Sequence, residues 1–218
     1  MCLTDAGKAY LQIKEKIITV EMPPGSVIHE SGLMQELGLG RTPIREALKQ
    51  LQAENLVVVA PRRGMFVADV AITDLPQVSE IRVELESLCV RLAVQRITRE
   101  QLDELKHLVA DARRQRALGP AQALRPLGSL GFMSLDRRFH RLLAEAAGNK
   151  FLQHEVEKFY NLSLRIWYLA LNRIQPGDVG VDDHLEIVDA IEAQDPERGE
   201  QRMREHIRHF HDTIKLRL

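Results

Sequence analysis

Four residues with metal-binding side chains stand in the second half of the chain, and two of them are close together in sequence. Asp136 and His140 are four positions apart in a segment with apolar residues at helical spacing. On an α-helix this spacing puts both side chains on one face, with Cβ atoms about 5–6 Å apart. His184 and His206, in two later apolar segments of helical period, could complete a set of three imidazoles and one carboxylate, which suits a transition metal.

These residues also have a simpler interpretation. A histidine on a helix is more often a hydrogen-bonded core or surface residue than a metal ligand, and spacing cannot show that His184 and His206 converge on the other two. A metal site and a set of ordinary polar side chains therefore both stay open at this point. The remaining histidines outside the set are given the ordinary interpretation: His29, His107, His154, His209 and His211.

A group of cations stands between positions 41 and 63, in a chain whose net charge is only −1. Residues 1–68 hold eight Lys/Arg and seven Asp/Glu, and five of those cations fall in this window: Arg41, Arg45, Lys49, Arg62 and Arg63. Positive charge focused in this way is typical of a DNA-contacting surface. A merely solvated helix face gives the same pattern, so the elements that carry the cations have to decide between the two.

The first three cations lie on a helix that is predicted to begin at Thr42 and Pro43. Threonine is a common N-cap, and proline suits the first helical position because its missing N–H has no partner there. Apolar residues then recur at i, i+4 and i+7, in Ile44, Leu48 and Leu51. Residues 33–40 predict a shorter helix and a Gly-containing turn, which together form a helix-turn-helix unit. In such a unit Arg41, Thr42 and Arg45 face base edges and phosphates.

Two β-prone runs, 56–59 and 65–67, follow this unit and are joined by Pro61-Arg62-Arg63-Gly64. The pattern predicts a hairpin with two cations at its tip, which would form a wing. Upstream, residues 6–20 carry apolar positions at helical spacing and predict a supporting helix that ends before Pro23.

The segment from Pro23 to Gly64 resembles the winged helix-turn-helix of the GntR family of bacterial transcriptional regulators, most closely in Arg41-Thr42-Pro43-Ile44-Arg45-Glu46-Ala47-Leu48. The resemblance covers about residues 8–68 and implies that DNA is contacted by Arg41, Thr42, Arg45, Arg63 and Gly64. We add Lys49 and Arg62 to these candidates. Gly40 and Ser31 depart from residues common in the family, so no base preference is carried over.

The second half is predicted to be all-helical, with helices at 76–96, 99–117, 132–147, 150–173, 182–193 and 196–217 and loops at 119–131 and 175–178. Its motifs, Leu135-Asp136-x-x-Phe139-His140, His184-x-x-Ile187 and Met203-x-x-His206, resemble the FCD ligand-sensing domain of the FadR subfamily over about residues 76–214. By that resemblance Asp136, His140, His184 and His206 bind a divalent metal. Zinc is our first choice, with nickel and manganese open.

The segment Glu80–Glu86 resembles the first sensing-domain helix of that family, whose arginine faces the effector cavity. Arg82 therefore either binds the carboxylate of a small organic acid or pairs with Glu86 at i+4. Arg165 is a second effector-binding candidate.

Composition fits this organisation. The chain has 218 residues, 44% of them hydrophobic, and we expect a mainly α fold with a winged helix-turn-helix domain at 1–70 and an FCD-like helical bundle at 71–218. No apolar run approaches the roughly 18–20 residues of a membrane span, and no signal peptide is visible, so we expect a cytoplasmic protein. Two cysteines are too few for a disulfide framework, and Cys89 is expected in the core.

The expected function is that of a homodimeric transcription factor that binds a two-fold symmetric operator and responds to a small organic acid, rather than that of an enzyme. Two alternatives stay open at this stage. One is a metalloenzyme that uses the Asp/His site to activate water. The other is a regulator in which the metal is purely structural.

Overall fold

The computed structural model describes residues 3–117, 128–170 and 181–217, and the chain divides into two compact units. The first unit comprises the residues up to Asp74 together with Asn161–Leu169, and the second comprises Leu75–Tyr160 and Ala170–Leu218. The predicted mainly α fold, with a winged helix-turn-helix at the N-terminus and a helical domain after it, is confirmed. The domain boundary at residue 70 stays a prediction.

The N-terminal part of the first unit, as far as the structure describes it, contains three α-helices and a small sheet: α1 (Asp5–Ile18), β1 (Val27–Ile28), α2 (Glu30–Leu37), α3 (Arg41–Ala53), β2 (Val57–Ala60) and β3 (Gly64–Val67). The strand order is β1-β3-β2, and both pairings are antiparallel. Val58 and Val27 both lie opposite Phe66, on either side of β3. The hairpin β2–β3 is the predicted wing, whereas β1 was not predicted because two residues are too few for an alternating pattern.

One hydrophobic core holds these elements together and fixes the orientation of α3. It consists of apolar side chains from all three helices and the sheet, among them Ile13, Ile17, Leu33, Ile44, Leu48, Leu51, Val57 and Val67. Because the apolar stripe of α3 faces this core, its basic side chains are left on the exposed side.

The start of α3 differs from the prediction, because Thr42 is not its N-cap. Gly40 holds that position with extended backbone (φ −70°, ψ 168°) and without a capping side chain. Pro43 is consequently the third helical residue rather than the first. Its missing N–H still has no consequence, since the N–H groups of the first turn lack partners within the helix; the first helical bond runs from Ile44 N to Gly40 O at 3.4 Å.

The described part of the second unit is helical: α4 (Leu75–Arg96), α5 (Arg99–Ala117), α6 (Gly128–Ala146), α7 (Lys150–Ala170, continuing into the first unit), α8 (Val181–Glu192) and α9 (Pro196–Arg217). A short 3₁₀ turn, Ile72–Asp74, precedes α4. The predicted loop at 119–131 is wrong for its last four residues, because α6 begins at Gly128. The remainder of that loop, the loop at 175–178 and the end of the helix predicted to reach 173 lie outside the described residues.

Local capping explains why most helix ends agree with the sequence. Thr98 and Gln101 form the predicted capping box, with Gln101 N donating to Thr98 Oγ1 at 3.2 Å and Thr98 N donating to Gln101 Oε1 at 3.0 Å. Asp195 Oδ1 accepts from Arg198 N at 3.0 Å, as expected for an N-cap. Gly148 lies after the end of α6 with φ +62°, the left-handed conformation that a helix C-terminus favours.

Two apolar sides of α4 are buried, which makes it the central helix of the second unit. One side joins a cluster with α5, α6, α8 and α9, and the other, which includes Cys89, packs on α6 and α7. The expected core position of Cys89 is confirmed, and burial raises the pKa of its thiol to about 12. The thiol therefore stays protonated and unreactive near neutral pH.

Close packing of α9 on α4 makes Gly199 sensitive to any added side chain. A Cβ atom there would lie 2.7 Å from Val90 Cγ1, a stiff and fully buried side chain. We expect Gly199→Ala to lower the free energy of unfolding by about 1–3 kcal/mol through overpacking. Gly32→Ala is the matched control, since its nearest neighbour would be 3.8 Å away; it should stabilise the protein by up to about 1 kcal/mol through helix propensity. Urea denaturation of both variants checks the opposite signs, and a Gly199→Ala variant as stable as the wild type would contradict the packing argument.

None of the helices in the described segments is both long enough and apolar enough to cross a membrane.

Candidate metal centre and nucleic-acid interface

The four predicted metal ligands come together in the second unit, although they belong to three helices. Asp136 and His140 lie one turn apart on α6, His184 lies near the start of α8, and His206 lies in the middle of α9. All four side chains are buried, and one ligand atom of each lies within 4.8 Å of the other three.

The Nε2 atoms of the three histidines and one oxygen of Asp136 face each other. His206 Nε2 lies 3.2 Å from His140 Nε2 and 3.3 Å from His184 Nε2. Asp136 Oδ1 lies 3.2 Å from His184 Nε2 and 3.8 Å from His140 Nε2. Ligand atoms that share one zinc ion, with bonds of about 2.1 Å, lie roughly 3–4 Å apart, so these separations fit a bound ion.

Two of the histidine rings form a hydrogen bond to a carboxylate outside the cluster through Nδ1, the ring nitrogen that faces away from the other ligand atoms. His140 Nδ1 donates to Glu86 Oε2 of α4, and His206 Nδ1 donates to Asp183 Oδ2 of α8 at 3.4 Å. A proton on Nδ1 leaves the lone pair on Nε2, which is the nitrogen that faces the centre of the cluster. Such outer contacts orient metal-binding histidines and raise their basicity.

Glu86 is in turn paired with Arg82. Arg82 Nε donates to Glu86 Oε1 at 2.6 Å, and its guanidinium lies over the rings of Tyr160 and Phe210, at 5.0 and 5.7 Å from their centroids. Burial opposes ionisation of Glu86, but Arg82 and His140 outweigh it and lower the pKa of its carboxyl to about 2. Arg82 thus forms the i+4 pair with Glu86 that the sequence allowed, and both side chains are buried.

Asp136 and Tyr160 form a second buried pair next to the cluster. Tyr160 donates its hydroxyl proton to Asp136 Oδ2 at 2.5 Å. Burial opposes ionisation of Asp136, yet the nearby histidines hold the pKa of its carboxyl well below the ordinary range. Burial, together with Asp136, raises the pKa of Tyr160 well above its ordinary value, so the phenol stays a donor. Asp136 Oδ1 remains directed at the histidines.

The charges around the cluster favour a divalent cation. Burial lowers the pKa of His206 to about 4, with His184 adding to the effect, so this imidazole is neutral at neutral pH. The carboxylates Asp136, Glu86 and Asp183 together with the guanidinium of Arg82 leave two negative charges when the imidazoles are neutral. A divalent cation would balance them, so both the donor set and the charge fit the predicted metal.

The two effector candidates lie in different units. Arg82 lies beside the cluster of Asp136 and the three histidines in the second unit, whereas Arg165 belongs to the α7 segment of the first unit. Arg165 is fully buried and donates through Nη2 to Ala68 O, and burial lowers the pKa of its guanidinium to about 10. Its Nε and Nη1 atoms have no acceptor among the described residues. The effector roles of Arg82 and Arg165 stay predictions.

The predicted DNA-contacting residues all lie at the surface of the first unit. Arg41, Thr42, Arg45 and Lys49 are exposed on α3, Arg62 and Arg63 lie in the turn between β2 and β3, and Gly64 is the first residue of β3. At the wing tip Arg62 and Gly64 have φ of +63° and +105°, so the backbone turns sharply there. Arg63 lies over the ring of Phe66, 5.9 Å from its centroid. The arrangement presents cations on a helix and on an adjacent hairpin tip.

Sequence reasoning missed the carboxylates and the phenol around the Asp/His cluster. The sequence predicts Glu86 only as an i+4 partner of Arg82 and gives no prediction for Asp183 or Tyr160, which contact His206 and Asp136. His209, interpreted as ordinary, lies with Nδ1 3.2 Å from Asp183 Oδ2. The position of Asp183 directly before His184 could have indicated that its carboxylate lies near the site, whereas nothing in the sequence points to Tyr160.

Comparison with protein families finds two matches that together span most of the chain. Residues 6–67 match the family described as "Bacterial regulatory proteins, gntR family", and residues 77–209 match the FCD domain.

Individual relatives agree with these matches. An HTH-type transcriptional regulator in an unstable DNA locus of Streptomyces ambofaciens is 30% identical over 97% of this chain and 86% of that protein. The HTH-type transcriptional repressor RspR of Escherichia coli K12 is 24% identical over 94% of this chain and 87% of that protein. Among solved structures, E. coli McbR/YncC has the same fold, with a TM-score of 0.84, 21% identity and 99% of each chain covered.

Proposed function

Because the chain belongs to the GntR family of bacterial regulatory proteins and carries an FCD domain, we propose that it is a metal-containing sensor whose affinity for operator DNA is modulated by a small carboxylate metabolite. Binding DNA and regulating transcription are the functions of this family. The bound metal, the carboxylate effector, the homodimer and the cytoplasmic location are proposed in addition to these family functions.

The observation that carries the proposal is the convergence of four ligand atoms from Asp136, His140, His184 and His206 inside the FCD domain. Zinc, nickel and manganese all accept imidazole and carboxylate ligands, and zinc is our first choice. A bound ion would supply a Lewis-acidic centre that can take an oxygen of a carboxylate as an additional ligand. Arg82 and Arg165 are the cations proposed to take part in binding that acid.

At the other end of the chain, the exposed cations of α3 and of the wing tip are proposed to contact a two-fold symmetric operator, with one winged helix-turn-helix from each subunit of a homodimer. Effector binding then acts on DNA affinity by favouring one arrangement of the subunits over another. The energetic requirement is only that the effector binds one arrangement more tightly than the other.

Two alternatives for the cluster were open from the sequence. Membership in a family of regulators removes the support for a metalloenzyme. A purely structural ion differs from a sensing site in one measurable respect, which is whether a carboxylate changes DNA binding.

Elemental analysis of the native protein, combined with mass spectrometry of any ligand that copurifies, tests the proposal. We expect about one divalent transition-metal ion per chain and a small organic acid. The acid identified, added to metal-loaded protein, should change the affinity for an operator selected from random DNA by about 5–150-fold, the usual range of allosteric coupling. Metal-loaded protein whose DNA affinity does not respond to that acid would point to a structural ion.

A further inference from the structure

An ion pair joins the two helices of the helix-turn-helix at the surface that is proposed to meet DNA. Arg45 Nε, on α3, donates to Glu30 Oε1, in the first turn of α2, at 3.0 Å. The side chain of Arg45 is 65% exposed and that of Glu30 is 21% exposed. A carboxylate is an unusual neighbour at such a surface, since it repels the phosphates that arginine attracts.

The contact uses only one edge of the guanidinium. Glu30 accepts from Nε, and in the part of the chain that the structure describes neither Nη1 nor Nη2 of Arg45 has an acceptor. These two terminal N–H groups lie in one plane and match the O6 and N7 acceptors that guanine presents in the major groove. The carboxylate also restrains a long side chain that would otherwise sample many rotamers, so the free edge is oriented before DNA arrives.

We propose that Glu30 is a specificity-determining residue, which positions Arg45 to bind a guanine in each half-site and weakens binding to DNA that lacks it. The inference rests on the proposed function, because it requires α3 to be the helix that meets DNA. Glu30 acts through Arg45 and does not itself contact a base.

The second part of the proposal follows from charge. On DNA without a suitably placed guanine, Arg45 can offer its charge only to a phosphate, and that charge is already partly neutralised by Glu30. The carboxylate meanwhile repels the phosphate backbone. Both effects lower affinity for unrelated sequence while leaving the guanine contact intact, so the same residue favours the correct site and disfavours the others.

The test begins with selection of duplexes from a library of randomised base pairs by the full-length protein. Affinity is then measured for the selected duplex, for each single base-pair variant of it, and for a duplex of unrelated sequence. We expect Glu30→Gln to reduce discrimination at one guanine per half-site by about tenfold, within the range of a bidentate arginine–guanine pair. Affinity of Glu30→Gln for the unrelated duplex should rise, because a negative charge is removed.

Two variants with the same charge change serve as controls. Glu36 of α2 is paired with Lys16, and Glu46 follows Arg45 on the exposed side of α3. Glu36→Gln and Glu46→Gln should raise affinity for unrelated DNA to a similar degree but keep discrimination at the guanine. Glu30→Asp keeps the charge near the start of α2 but shortens the side chain, so it should lose discrimination without loss of thermal stability.

Several outcomes would overturn the inference. If Glu30→Gln and Glu30→Asp both discriminate as well as the wild type while Arg45→Ala does not, Glu30 has no positioning role and the proposed function stands. Equal loss in the two control variants would indicate a general field effect rather than a positioned contact. Failure of the wild type to select any motif would reject sequence-specific DNA binding itself, and the inference with it.

Discussion

Arg45→Ala is expected to abolish site-specific DNA binding while leaving the fold intact. The side chain lies outside the core of the first unit, and its bond with Glu30 is an exposed ion pair, which contributes at most about 1 kcal/mol to stability. A bidentate arginine–guanine contact is worth about 1–3 kcal/mol, and a two-fold operator contains it twice. The variant should therefore bind the selected operator at least roughly 30-fold more weakly than the wild type.

The comparison with Arg45→Lys separates recognition from charge. Lysine keeps the positive charge but cannot present two parallel N–H groups, so Arg45→Lys should retain affinity for unrelated DNA and lose most of the specific affinity. Footprinting and fluorescence anisotropy at fixed salt concentration measure both quantities. A protected operator site that persists in Arg45→Ala would remove Arg45 from the set of base-contacting residues.

Loss of one metal ligand is expected to produce the largest effect in the second unit. His184→Ala removes one of the four converging ligand atoms without disturbing the contacts of Glu86 or Asp183 with the other rings. Affinity for zinc, measured by competition with a chelator, should fall by more than about 100-fold, the upper range for changes outside the ligand set. Zinc should then no longer raise the melting temperature, since an ion stabilises the folded chain only in proportion to its occupancy.

A graded series makes this prediction specific. Glu86→Gln keeps the shape of the side chain but weakens the bond with His140, so zinc affinity should fall by about 10–100-fold. Glu84→Gln is the matched control on the same helix, because Glu84 is exposed and paired with Arg204. Zinc affinity equal in all three variants and the wild type would mean that the cluster is a set of buried hydrogen-bonded side chains and no metal site.

How far the sequence predicted this structure depends on the range of the interaction concerned. Helix ends at Thr98 and Asp195 were predicted because their caps involve neighbouring residues. The predicted N-cap of α3 was wrong. Threonine and glycine both suit an N-cap position, and the backbone conformation that follows from the preceding turn places Gly40 there. Strand β1 was not predicted because its two residues are too few for an alternating pattern and its partner, β3, lies about 40 residues away in sequence.

The Asp/His cluster shows the same limit. The i+4 spacing of Asp136 and His140 follows from helix geometry alone, whereas the approach of His184 and His206 was implied by family resemblance and not by spacing. The carboxylates of Glu86 and Asp183 could not be assigned to particular rings, because their contacts depend on how α4, α8 and α9 pack. The roles of individual residues in DNA and effector binding remain predictions.

The distribution of the ligands along the chain also bears on the order of folding. Asp136 and His140 are brought together as soon as α6 forms, so they would be the first two of the proposed ligands to be in place. His184 and His206 join only after α8 and α9 have docked, because these contacts span 22 to 70 residues. High-affinity binding of the proposed metal would therefore wait until the bundle is complete, and an occupied site would mark a chain that has finished folding.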